Sequence, residues 1–95
     1  MTKPHTSNSE AEVYGHRVRP DDIAMLGVLA RADKPLYAIT VADWAGLNRR
    51  SIGAKLSRLV RRGLVRGEYH ADKRINLWTT TDLGYQVARH AGEVY

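Results

Sequence analysis

A single residue, Leu47, separates two stretches of the 95-residue chain that both have helical patterning. Gly46 can end the first stretch in a left-handed conformation, and Asn48 is a good N-cap for the second. The second stretch extends to Arg62, where Gly63 ends it. Because a one-residue link leaves two helices little freedom in how they pack, the sequence predicts a helix-turn-helix arrangement.

The chain before this turn contains a polar tail and two predicted helix starts. Residues 1–19 are rich in Ser, Thr, Asn and charge, so we expect a mobile tail without regular structure. Pro20 begins the first helix, and residues 33–35, Asp-Lys-Pro, end it. Residues 36–39 have the pattern of a short apolar link, and Thr40 is the expected N-cap of the second helix.

The chain after the helical pair has the pattern of a hairpin and a last helix. Residues 64–69 and 75–79 alternate as two strands, with residues 70–74 between them as the tip. Thr81 is placed to cap a final helix. The order of elements predicts a mainly α domain with a small β-hairpin over residues 20–95: a three-helix core, a two-stranded wing and a C-terminal helix.

Positive charge is concentrated in one part of the chain. Nine of the fifteen Lys and Arg residues lie between residues 49 and 74, where the net charge is +7 against +5 for the whole chain. On a helical wheel the apolar face of the helix over 49–62 consists of Ile52, Leu56, Leu59 and Val60. The opposite face carries Arg50, Ala54, Ser57, Arg58 and Arg61. A basic helix followed by a basic hairpin is typical of proteins that bind nucleic acid.

The sequence lacks the residues that several classes of function require. The chain has no Cys, and its four His residues have no metal-like spacing. No Gly-rich phosphate loop and no nucleophile-base arrangement is visible, so we expect neither an enzyme nor a bound cofactor or metal. The longest apolar stretch is too short to span a membrane and the N-terminus has no secretory signal, which predicts a cytoplasmic protein.

The run WAGLNRRSIGAKLSRLVRRGLV resembles the signature L-A-x-x-L-G-L-S-x-x-T-V-S-x-x-L-x-x-L-x-x-x-G-L-V of winged helix-turn-helix transcriptional regulators, with the MarR and PadR groups of bacterial repressors most similar. Leu47 takes the buried turn position and Asn48 the N-cap position. Residues 81–84, Thr-Asp-Leu-Gly, match the T-x-x-G that begins the helix after the wing. The resemblance covers about residues 20–92, and Ala54 stands where many relatives carry a base-contacting Arg.

Together these features predict a sequence-specific regulator of transcription that binds double-stranded DNA, with a repressor favoured. The helix over 49–62 would enter the major groove, and the wing at 70–74 would contact the flanking backbone or minor groove. The predicted base contacts are Arg49, Arg50, Ser51 and Ala54. The predicted phosphate contacts are Asn48, Lys55, Ser57, Arg58 and Arg61. The predicted wing contacts are Lys73 and Arg74.

Two alternatives share the same fold. The chain could be a protein-interaction module, such as a phage-encoded modifier of a host factor, or an architectural accessory protein of replication or excision. The last helix has an apolar stripe that either completes the core or forms a homodimer, and it consists of Leu83, Val87, Ala91 and Val94. Trp44 and Trp78 are expected to pack in the core or in grooves rather than to stack on single-stranded bases.

Overall fold

A computed structural model of the chain describes residues 11–13, 15–32 and 34–93. Within them the elements are β1 (Ala11–Val13), β2 (His16–Val18), α1 (Pro20–Arg31), β3 (Leu36–Tyr37), α2 (Ala38–Ala45), α3 (Arg49–Arg61), β4 (Val65–His70), β5 (Ile75–Thr80) and α4 (Asp82–His90). The mainly α fold, the adjacent helices α2 and α3 and the β4–β5 hairpin confirm the predicted architecture.

The residues that end and begin the helices around the turn act as predicted. Gly46 follows α2 with φ 72° and ψ 33°, a left-handed conformation that glycine adopts at low cost. The side chain of Asn48 accepts the backbone N–H of Arg50 at 2.7 Å and caps α3. Thr81 caps α4 in the same way, since its hydroxyl accepts the N–H of Gly84 at 3.0 Å. Local capping chemistry therefore sets the bounds of these helices.

The start of α2 differs from the prediction. Tyr37, not Thr40, is the N-cap residue, and the helix begins at Ala38. The predicted apolar link contains β3, whose Leu36 and Tyr37 pair with Trp78 and Leu77 of β5. The sheet consequently has three strands in the order β3-β5-β4 instead of two. Tyr37 is held extended by this pairing, and the chain turns into the helix directly after it.

The segment before α1 also departs from the prediction. The expectation of no regular structure is wrong for residues 11–13 and 16–18, where β1 and β2 pair antiparallel with Ala11 opposite Val18. Val18 is fully buried in the core, which gives this short hairpin an apolar anchor. Residues 1–10 lie outside the described residues, and the mobility expected there stays a prediction.

The hydrophobic core lies between the helices and the sheet. Its buried members are Val18, Met25, Leu26, Val28, Leu29, Leu36, Val41, Ala42, Ile52, Leu56, Leu59, Leu64, Val65, Trp78, Val87 and Ala88. The prediction that Val60 belongs to it is wrong, because Val60 is 38% exposed. At the helical repeat, Val60 lies about 80° around α3 from Ile52, which places it at the edge of the apolar face.

The two tryptophans have different surroundings. Trp78 on β5 is buried, as expected, but Trp44 on α2 is 63% exposed. The buried residues of α2 are Val41 and Ala42. Trp44 lies about 110° around the helix from the mean direction of these two residues, at the flank of the buried face, where it lines a groove with Leu36 and Leu77.

The last helix packs on its own chain. Val87 and Ala88 are fully buried, and Leu83 packs against the core. Helix α4 ends at His90, and Val94 lies outside the described residues. Val87 is thus covered within its own chain, and a homodimer through the predicted stripe stays a prediction. Among the residues that the structure describes, no helix is long and apolar enough to cross a membrane.

Candidate nucleic-acid interface

The outer face of α3 carries a stripe of polar and small residues, hereafter the outer stripe, which consists of Arg50, Ala54, Ser57 and Arg61. It lies opposite the buried residues Ile52, Leu56 and Leu59 of the same helix. Arg50, Ala54 and Arg61 are exposed and Ser57 is half-buried. Neither Arg50 nor Arg61 forms an ion pair with any residue that the structure describes. The stripe therefore presents two arginines that have no ion-pair partner in the described part of the chain, with the small residues Ala54 and Ser57 between them.

A second row of cations on α3 faces the start of α1. The ammonium of Lys55 lies 2.9 Å from a carboxylate oxygen of Asp21. Arg58 and Arg62 both reach Asp22, at 3.1 Å and 3.6 Å. Asp22 is only 1% exposed, so its charge is balanced by these two guanidinium groups rather than by water. Two predicted phosphate contacts, Lys55 and Arg58, thus already have carboxylate partners within the chain.

Sequence reasoning did not find these ion pairs. Asp21 and Asp22 stand in the first turn of α1, where acidic side chains also interact favourably with the helix dipole. Their three partners are 34, 36 and 40 residues away along the chain, and no local pattern shows which surface cation a distant carboxylate will meet. Helix packing alone brings them together.

The first residue of α3 is bound to α2. Arg49 donates from Nε to Oδ1 of Asp43 at 2.9 Å and from Nη2 to Oδ2 at 2.7 Å. These side-chain hydrogen bonds lower the pKa of Asp43 and raise the pKa of Arg49. Both side chains stay largely open to solvent, at 62% exposed for Arg49 and 45% for Asp43. The pair bridges α2 and α3 across the turn while leaving the guanidinium accessible.

Two other predicted site residues take part in the cap of α3. Asn48 accepts the N–H of Arg50 through its side-chain oxygen, as described above. The hydroxyl of Ser51 donates to the backbone carbonyl of Asn48 at 3.3 Å. Both lie at the start of α3 next to Arg49, so the structure brings the predicted N-terminal contacts together.

The wing has a four-residue tip between β4 and β5. The strands pair from Val65 opposite Thr80 to His70 opposite Ile75. Lys73 and Arg74 lie in the tip, and both are exposed. Neither forms an ion pair with a residue in the described ranges. The two predicted wing contacts are thus available to an anionic partner.

A shallow hollow connects the outer stripe to the wing. It has a volume of about 270 Å³ and is lined by Ser57, Val60, Arg61, Gly67, Asn76 and Trp78. The Trp78 ring covers Gly67, where an added Cβ would lie 2.7 Å from a ring carbon. Helix α3 and the hairpin consequently form one continuous surface. Within the described part of the chain, no group of three or more His, Asp or Glu side chains could hold a metal ion.

No protein-family model and no curated protein matches the sequence. Solved structures do match. A MarR-family transcriptional regulator from Silicibacter pomeroyi superposes with a TM-score of 0.68 at 25% identity, over 78% of this chain and 50% of that chain. The PcaV transcriptional regulator from Streptomyces coelicolor, in complex with its natural ligand, superposes with a TM-score of 0.70 at 34% identity, over 85% of this chain and 57% of that chain. The chain has the winged helix-turn-helix fold of MarR-family transcriptional regulators.

This winged helix confirms the resemblance to the MarR group that the sequence indicates. A second PcaV structure gives a TM-score of 0.67 at 36% identity, over 76% of this chain and 53% of that chain. The chain therefore spans about half the length of the regulators it matches. These neighbours are transcriptional regulators and not enzymes, in agreement with the prediction of a non-enzymatic protein.

Proposed function

We propose that this winged-helix chain is a sequence-specific regulator of transcription that binds double-stranded DNA through α3 and the wing. The observation that carries the proposal is the outer stripe, in which two arginines without ion pairs among the described residues flank small residues on the exposed face of α3. The major groove of B-DNA is wide enough to admit an α-helix. Because Gly53 has no side chain and that of Ala54 is a single methyl group, α3 can approach the bases closely. Ala54 can contact a thymine methyl group.

The start of α3 supplies the base contacts in this proposal. Arg49, Arg50, Ser51 and Ala54 lie within its first two turns, where a recognition helix meets base edges. Arg50 is suited to donate to the O6 and N7 atoms of a guanine. Its guanidinium has no carboxylate partner among the described residues, which leaves all of its donors for DNA.

Phosphate contacts come from the rest of α3 and from the wing. In this proposal Asn48, Ser57 and Arg61 contact phosphates, and Lys73 and Arg74 contact the flanking backbone or the minor groove. Lys55 and Arg58 contribute less to phosphate binding, because a carboxylate already balances the charge of each cation. A helix and a wing that cover an operator would exclude other proteins from it, which favours repression.

The test is selection of bound sequences from a random duplex pool, followed by affinity measurements by fluorescence anisotropy. Replacing Arg50 by Ala should cost about 1–3 kcal/mol of binding free energy and relax the preference at one base pair. Replacing Arg61 by Ala should weaken binding to all duplexes alike. Arg89→Ala is the matched control, because Arg89 is an exposed arginine on α4.

Three results would overturn the proposal. Wild-type protein that binds no duplex at low salt would favour a protein-interaction module with the same fold. Arg50→Ala and Arg61→Ala variants that both bind like the Arg89→Ala control would place the DNA site elsewhere. Uniform binding without a consensus would indicate an architectural protein. A consensus with two inverted half-sites about one helical turn apart would instead show that two copies bind together.

A further inference from the structure

The ion pair between Arg49 and Asp43 uses only one edge of the guanidinium. Arginine has five N–H donors in a rigid planar fork. Asp43 accepts from Nε and from one hydrogen of Nη2, at 2.9 Å and 2.7 Å. The other hydrogen of Nη2 and both hydrogens of Nη1 lie on the remaining edges. A second pair of parallel donors, one N–H from each Nη, therefore has no partner among the described residues at the end of the side chain.

This free edge belongs to a residue at the start of the helix that we place in the major groove. Arg49 is the first residue of α3, and its side chain is 62% exposed. Guanine presents two neighbouring acceptors, O6 and N7, in that groove, and a guanidinium edge matches them with two parallel hydrogen bonds. The free edge has the geometry that this base requires.

The carboxylate also determines which acceptor the pair prefers. Asp43 balances the charge of Arg49, so the pair as a whole is a poor contact for an anionic phosphate. The directional N–H donors are unaffected by this neutralisation. Asp43 also fixes the guanidinium in one orientation, so that Arg49 loses less side-chain conformational entropy on binding than an unrestrained arginine does.

We propose that Asp43 is a positioning residue that orients Arg49 toward one guanine, which makes this pair a determinant of base preference. The inference rests on the proposed function, since it assumes that α3 enters the major groove. In it Arg49 touches the base, and Asp43 acts only through Arg49. The acidic residue of α2 thereby contributes to specificity without contacting DNA.

The experiment compares base preference with overall affinity. Wild-type protein and the variants Arg49→Ala, Arg49→Lys and Asp43→Ala bind the selected consensus duplex and its single-base substitutions. A further duplex carries 7-deazaguanine, which lacks the N7 acceptor, at each guanine in turn. Asp82→Ala is the control, because it removes an exposed carboxylate from the first turn of α4. Thermal unfolding verifies that every variant is folded.

We expect both Arg49 variants to lose discrimination at a single G·C pair by about 5- to 150-fold, the range of one bidentate contact. Asp43→Ala should reduce discrimination at the same pair while affinity for random duplex stays equal or rises, because a negative charge is removed. Wild-type protein should lose affinity when 7-deazaguanine replaces the guanine of that pair or the guanine assigned to Arg50, and only the first of these losses should shrink in Asp43→Ala. The Arg49→Lys variant keeps the positive charge, so its loss of discrimination would report the absence of the planar guanidinium.

The inference is overturned if Asp43→Ala keeps the wild-type preference at every base pair. It is also overturned if this variant lowers affinity for all sequences by the same factor, which is what a purely structural role would produce. Failure of the proposed function is distinguishable, because the wild-type protein itself would then select no consensus or bind no duplex.

Discussion

Asp22 is the buried carboxylate on which the start of α1 and the later turns of α3 converge. It is 1% exposed, accepts the N–H of Arg19 at 3.0 Å and lies within 3.6 Å of Arg58 and Arg62. A buried charge is tolerated only when it has such partners. Asp22 therefore fixes how α3 packs on α1, and with it the direction in which the outer stripe faces.

Replacing Asp22 by Ala should lower the free energy of unfolding by about 1.5–3 kcal/mol, the range for hydrogen bonds to charged groups. The two arginines, at 37% and 30% exposed, would be left without their carboxylate. Denaturant unfolding at neutral pH measures the change.

Asp21→Ala provides the matched control for this prediction. Asp21 is 43% exposed and pairs with Lys55, so its loss should cost less than about 1 kcal/mol. Equal stability of the two variants would contradict the role that we give to Asp22.

At the scale of elements, α4 closely approaches the start of the wing. A Cβ added at Gly84 would lie 1.9 Å from the backbone carbonyl oxygen of Leu64. The hydroxyl of Thr81 accepts the N–H of Gly84 at 3.0 Å and donates to the carbonyl of Gly63 at 2.7 Å. The T-x-x-G pattern is thus a docking motif, in which Thr81 caps the helix and Gly84 admits the backbone of Leu64.

Gly84→Ala should lower the free energy of unfolding by about 1–3 kcal/mol or more, because the added methyl meets backbone that must move. Gly53→Ala is the control, since an added Cβ there has no heavy atom within 4 Å. In the interior of α3 this change should raise stability by about 0.5–1 kcal/mol. Thermal unfolding of the two variants measures the difference, and destabilisation by both to the same extent would contradict the close contact.

Elements whose bounds are set by neighbouring residues could be predicted from the sequence, and those that depend on pairing with a distant strand could not. The bounds of α3 follow from Asn48 and Gly63, and the start of α4 follows from Thr81, because a cap acts on its own helix. Strand β3 has two residues, too few for an alternating pattern, and it exists because it pairs with β5 far along the chain. The start of α2 was misplaced for the same reason.

The site shows the same division between local and distant causes. The outer stripe follows from the helical repeat and was predicted from sequence. The partners of Lys55 and Arg58 were not, since they depend on how α1 packs against α3. Val60 and Trp44 lie at or beyond the edge of an apolar face, where the helical repeat alone does not tell whether another element covers the side chain.

At the scale of the whole molecule, internal ion pairs reduce the number of basic residues that are available to DNA. The segment from residue 49 to 74 carries nine basic residues. Four of them pair with carboxylates of α1 and α2, namely Arg49, Lys55, Arg58 and Arg62. The remaining five form no ion pair with any residue in the described ranges, and they are Arg50, Arg61, Arg66, Lys73 and Arg74. The field available to DNA is therefore that of the outer stripe and the hairpin.

The salt dependence of duplex binding tests this account most directly. Each phosphate neutralised contributes about −0.9 to the slope of log K against log salt concentration, so the five cations of this segment that have no ion pair among the described residues would together contribute about −4.5 per bound chain. Replacing Arg61 by Ala should make that slope shallower by about 0.9, and Arg89→Ala should leave it unchanged. A wild-type slope near −8, as expected if all nine cations met phosphates, would show that the internal ion pairs open on binding. A slope that Arg61→Ala does not change would contradict the assignment of the outer stripe as the surface that meets DNA.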